Sequence, residues 1–221
     1  MKEALCALLG LTLGTAFALG WPLVYGPDDE EAGEEDGERG LPRGQLPWRG
    51  LILPLTAAAL GMAAARALDE ASAALLATLF GTLFLALAVT DLERRLLPNR
   101  LVYPGLVLAL ALSWAWPDRG VVQALAGAFF GLVVLGVAYV AMRGGLGAGD
   151  VKLAALIGAV VGFPGVALAL SLGAIAGGVA AAFLLLSRLA RRGQYMPYGP
   201  FLVAGGLTAL LLGERLWGHG L

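Results

Sequence analysis

A chain of 221 residues with 59% hydrophobic and only 14% charged side chains has a mean hydropathy of +0.81. That is more apolar surface than a soluble domain of this size can bury, so the bilayer must be its solvent. The net charge of −1, with fifteen basic residues placed in small groups at the ends of apolar runs, excludes nucleic-acid binding, because no continuous track meets a phosphate backbone; the one cysteine, Cys6, excludes a disulfide and a thiolate zinc site.

A membrane helix needs about 20 predominantly apolar residues. Runs approaching that length predict eight segments: Leu5–Tyr25, Leu51–Leu68, Ala71–Val89, Leu101–Trp116, Val121–Met142, Val151–Gly162, Gly165–Leu189 and Phe201–Trp217. The fold class expected is all-α, a polytopic transmembrane helical bundle forming a single membrane domain over residues 1–221. The sixth run rises only about 18 Å against roughly 30 Å of hydrocarbon, which predicts a short or half-buried helix. Leu97-Pro98-Asn99, Pro117-Asp118, Gly144-Gly145, Phe163-Pro164-Gly165 and Pro197-Tyr198-Gly199-Pro200 interrupt the runs where turn chemistry requires.

The first segment has a second reading as a cleaved secretory signal, with Lys2 ahead of it and Ala16-Phe17-Ala18 as a small-residue cleavage site. Cleavage would leave the next basic loop on the external side, so it is expected to remain as an anchor. Eight of the sixteen acidic residues fall between Asp28 and Glu38; the stretch 27–49 is expected to be a disordered cytoplasmic loop, since it has too little apolar surface to order itself. With both termini external, Arg39, Arg43, Arg49, Arg94, Arg95, Arg100, Arg143, Lys152, Arg188, Arg191 and Arg192 all fall in cytoplasmic loops, as the positive-inside bias demands. Trp21, Trp48, Trp114, Trp116 and Trp217 sit near segment ends, where an amphipathic ring prefers the membrane interface. The Gly and Ala residues of 158–182 predict a close helix-packing surface. His219, two residues before the last position, is expected to carry no chemistry.

A carboxylate at the edge of an apolar segment is costly when charged, so one that has no function is rarely found there. Asp91 ends the third run and Asp150 opens the sixth; alternating topology returns the chain to the same side between them, so the two can be neighbours. Two carboxyl groups a few ångströms apart share one proton, leaving one as base and the other as acid. That division suits peptide hydrolysis without a metal, cofactor or nucleophilic side chain. The plainer reading is that each Asp caps a helix or pairs with Arg94, Arg95, Arg143 or Lys152. A reading from another class is a proton- or cation-coupled transporter using the same carboxylates, which calls for sites nearer the midplane and repeated halves. Gly144, Gly145, Gly147 and Gly149 leave bare backbone beside Asp150, along which an extended substrate can lie. Glu93 is two residues, about 200° of helix turn, from Asp91 and is expected to face solvent or an arginine.

Thr90-Asp91-Leu92-Glu93-Arg94-Arg95-Leu96-Leu97-Pro98-Asn99 and Gly147-Ala148-Gly149-Asp150-Val151-Lys152 resemble the two aspartate motifs of the prepilin (type IV leader) peptidases, the second being their G-x-G-D motif. Met196-Pro197-Tyr198-Gly199-Pro200-Phe201 is similar to the Pro/Gly-rich sequence that opens the family's last membrane segment. The resemblance runs from about Leu79 to Leu202 and implies an aspartic endopeptidase of the bacterial inner membrane. Its catalytic pair would be Asp91 and Asp150, with Gly147, Gly149 and Pro98 binding substrate. It would cleave the basic leader of prepilins or pseudopilins, the precursors of type IV pili and type II secretion, at the cytoplasmic face. Larger members also N-methylate the new terminus and many carry two C-x-x-C pairs; this chain has neither those cysteines nor the Asn and Arg of the family's first-helix motif near Gly14-Thr15-Ala16-Phe17, which counts against methyltransferase activity.

Overall fold

The computed structural model describes residues 1–24, 49–142, 146–187 and 197–217. Among them the chain forms eight helices of a dozen residues or more: α1 (Lys2–Leu19), α2 (Arg49–Ala67), α3 (Ala71–Arg94), α4 (Asn99–Ala111), α5 (Val121–Ala141), α6 (Ala148–Val161), α7 (Gly165–Leu186) and α8 (Gly199–Trp217). A single turn, Trp21–Val24, follows α1, and a 3-10 turn, Ser113–Ala115, follows α4. No strand occurs among the described residues. The protein is an all-α, polytopic membrane protein: the stretches Lys2–Leu19, Gly50–Ala67, Ala71–Arg94, Val121–Ala141 and Gly165–Leu184 are long and apolar enough to cross a bilayer, and Asn99–Ala111 and Gly199–Gly213 are shorter apolar helices.

Each predicted run corresponds to one helix, and the punctuation explains the ends. Pro98 stands in extended conformation ahead of α4. Gly162, at φ +69°, closes α6 in a region that other residues avoid. The acidic stretch expected over 27–49 lies outside the described residues except for Arg49, as do Gly144-Gly145, Arg143 and His219.

Helices adjacent in sequence pack in pairs, α1 on α2, α5 on α6 and α7 on α8, while α3 touches α1, α2 and α8, and α6 touches α4, α5, α7 and α8. Small residues let the backbones meet. A Cβ on Gly10 would run into the Ala57 carbonyl, and one on Gly61 into that of Cys6. Gly127 and Gly158 stand back to back, and Gly205 faces the Ala169 carbonyl. The packing surface expected over 158–182 is therefore present at Gly158, Gly173 and Gly177, whereas Gly178 faces open space.

The core runs along α3 and α6. Phe80, Phe84, Leu87, Leu153, Leu156 and Ile157 are all fully buried. Outward faces of α5 and α7, with Phe129, Val137, Ile175, Val179 and Phe183, stay exposed, as lipid-facing surface does. Trp114 is exposed, but Trp116 is buried beneath the Arg119 guanidinium, 4.2 Å from its ring centroid, and is no interfacial anchor. Trp48 lies outside the described residues.

Candidate active site

Asp91 lies in the last turn of α3 and Asp150 in the first turn of α6. Both are 5% exposed. The Asp91 backbone carbonyl accepts the Arg95 N–H at 2.8 Å, and Arg95 adopts left-handed φ 53°, turning the chain away from α3. The chain then folds inward: Leu97 and Pro98 are buried before α4 begins.

Each aspartate is held by a backbone amide. Gly199, the first residue of α8, donates its N–H to Asp91 Oδ2 at 2.9 Å in a buried hydrogen bond that joins residues remote in sequence. Gly147 donates to Asp150 Oδ2 at 3.2 Å, while the Asp150 N–H returns to the Gly147 carbonyl at 3.1 Å. Asp150 thus caps its own helix, so part of the plainer reading is realised. Lys152 does not pair with it: its Nζ donates to Asn99 Oδ1 at 2.9 Å. The Asp91 and Asp150 side chains lie within electrostatic reach of each other, and the Arg95 charge also acts on Asp91.

The residues expected to bind substrate have inward-facing neighbours. A Cβ on Gly149 would lie 3.2 Å from Leu97 Cβ, so this glycine admits Leu97 of the same chain. Pro98 is buried and Gly147 is half-buried at the cap. Glu93 is 4% exposed, which removes solvent from the two surroundings expected for it. Its position continues the face of Ala86 and Val89, which packs with Leu53 of α2 and Val24 of the turn after α1. The side of α3 facing away from Asp91 is therefore covered by protein.

Tyr198 and Gly199 were seen in the sequence only as part of a motif. Tyr198 is half-buried. Burial first, and then the nearby Asp150 carboxylate, hold its hydroxyl above the usual tyrosine range, so it remains a proton-bearing donor at neutral pH. Among the described residues no three His, Cys, Asp or Glu side chains group as metal ligands would. Two buried carboxyl groups at one end of the bundle, each with an oxygen fixed by an amide, can divide base and acid roles on a water molecule.

Residues 78–182 match the family model described as the type IV leader peptidase family. Over 141 residues the chain is 36% identical to a prepilin leader peptidase/N-methyltransferase of Bacillus subtilis (strain 168), covering 63% of this chain and 56% of that one. A protein of the same name from Pseudomonas putida is 35% identical over 138 residues, 60% of this chain and 48% of the relative. One from Aeromonas hydrophila is 31% identical over 170 residues, 75% and 59% of the two chains. The chain spans about half the length of the curated relatives it matches. No solved structure matches it. The matched region contains Asp91 and Asp150 with their motifs, and residues 78–182 of this chain belong to the type IV leader peptidase family.

Proposed function

We propose that this chain is an intramembrane aspartic endopeptidase that cleaves the leader of type IV prepilins or pseudopilins at the cytoplasmic face of the bacterial inner membrane. The observation that carries the reading is that Asp91, in the last turn of α3, and Asp150, in the first turn of α6, are both buried and near enough for the charge of Asp150 to act on Asp91. The ionised member takes a proton from water, whose oxygen attacks the scissile carbonyl carbon. The protonated member hydrogen-bonds the carbonyl oxygen and then supplies the proton that the departing nitrogen needs. Gly147, Gly149 and Pro98 act in this reading by shaping the wall around Asp150, with the Gly149–Leu97 contact closing it.

Sites in the first and last turns of helices favour the peptidase over a transporter, which calls for carboxylates nearer the midplane. N-methylation is not part of the proposed activity, since the chain holds one cysteine and thus no C-x-x-C pair.

The test is cleavage of a purified prepilin by the wild-type protein, Asp91→Asn and Asp150→Asn in lipid, each confirmed folded. Both substitutions should lower the rate by at least about 100-fold, the lower end of what positioned acid–base groups contribute. Normal cleavage by either variant removes that residue from the mechanism.

A further inference from the structure

We propose that Gly199 is a positioning residue of the aspartate pair: its backbone N–H fixes one oxygen of Asp91, and the absence of a Cβ is what allows the start of α8 to come so near. The inference rests on Asp91 being catalytic and goes beyond it by adding a third chain segment to the site.

Three observations carry it. The Gly199 N–H to Asp91 Oδ2 bond is 2.9 Å long and buried. A Cβ on Gly199 would stand 2.7 Å from Asp91 Oδ2, 3.0 Å from Cγ and 3.2 Å from Cβ, so any side chain there displaces the carboxyl group. And α8 packs against both α3 and α6, the helices that carry the two aspartates. The turn is anchored on its other flank: the Tyr198 ring occupies the space over Gly177 of α7, where an added Cβ would lie 2.6 Å from Tyr198 Cε2. With Oδ2 held by the amide, the remaining oxygen of Asp91 is the one directed to water or to a proton shared with Asp150. An amide is fixed by the helix it begins, so it orients the carboxylate without having to reorganise during reaction.

The experiment compares prepilin cleavage by wild type, Gly199→Ala, Asp91→Asn and Gly213→Ala. Gly213 lies on the same helix with nothing within 4 Å of an added Cβ, so its substitution controls for a glycine-to-alanine change and should leave kcat and KM unaltered. Gly199→Ala should lower kcat about 100-fold at unchanged KM, the scale expected of an ångström-level misplacement of a reacting group. A purely structural defect would instead reduce the amount of folded enzyme and leave kcat per folded molecule unchanged. Wild-type kcat in Gly199→Ala beside an inactive Asp91→Asn overturns the clamp and leaves the dyad standing. Wild-type turnover in Asp91→Asn overturns the dyad and with it any catalytic role for Gly199.

A second readout holds if Gly199→Ala fails to fold. Carbonyl-13C tyrosine with 15N glycine marks only the Tyr25-Gly26 and Tyr198-Gly199 peptide bonds, and Tyr25→Phe leaves the latter alone. The Gly199 amide proton should move upfield in Asp91→Ala. An unmoved resonance overturns the contact.

Discussion

Lys152 follows Asp150 by two residues, yet its Nζ reaches away from the carboxylate to Asn99 at the start of α4 and stands 5.3 Å from the Tyr103 ring centroid. The contact ties the first turn of α6 to the first turn of α4, across the segment that seats Leu97 on Gly149. If the two side chains act as a unit, Lys152→Met and Asn99→Ala should be non-additive, with a coupling of about 1 kcal/mol in thermal unfolding. Additive losses would show that each acts through other neighbours. At this scale the aspartates were legible, because a carboxylate at the edge of an apolar run stands out from its surroundings. Gly199 was not: a main-chain amide bonded across the fold has no signature in the sequence. For Glu93 the helix angle placed it opposite Asp91, but solvent is not its surroundings, because Leu53 and Val24 cover that face.

The shortness of α6 was legible as an element, since glycines and the Phe163-Pro164 break confine it. How the protein accommodates it was not, because the partners come from distant segments. Fourteen residues rise about 21 Å, well short of the hydrocarbon thickness. A helix this short leaves at least one end inside the hydrocarbon thickness, where terminal groups need protein partners. At the N-terminus the Asp150 carboxylate and Gly147 amide supply one another. At the C-terminus Arg119 Nη1 donates to the carbonyls of Val160 at 3.1 Å and Val161 at 2.8 Å. The Arg119 side chain is 8% exposed, and its guanidinium is held by Asp118 at 3.1 Å and by the Trp116 face. Arg119→Met leaves those carbonyls unpaired and should destabilise the protein by about 1.5 to 3 kcal/mol, the scale of buried bonds to a charged donor. Asp118→Asn, which alters a more exposed partner, should cost below about 1 kcal/mol. Equal losses, measured by circular dichroism on heating in detergent, would place the stabilisation in the ion pair and not in the cap.

The proposed orientation of the whole molecule rests on charge placement, and the two ends of α6 make it testable. Hydropathy alone marks which segments cross but is symmetric about the bilayer; the asymmetry comes from basic residues, and the pairing of helices comes from glycine contacts that only three dimensions reveal. Asp150 opens α6 at one end and Arg119 closes it at the other, so exposed residues beside each report opposite faces. Ala148 is exposed next to the aspartates, and Pro117 is exposed in the segment leading to Arg119. Cys6 is fully buried and should not react. In intact cells a membrane-impermeant maleimide should therefore label Pro117→Cys but spare Ala148→Cys until the membrane is opened. The reverse pattern would put the aspartates outside, where the leader of an unprocessed prepilin would not meet them. Labelling of both in intact cells would mean that the site communicates with external water across the bundle, which a peptidase working from the cytoplasmic face cannot allow and a transporter requires.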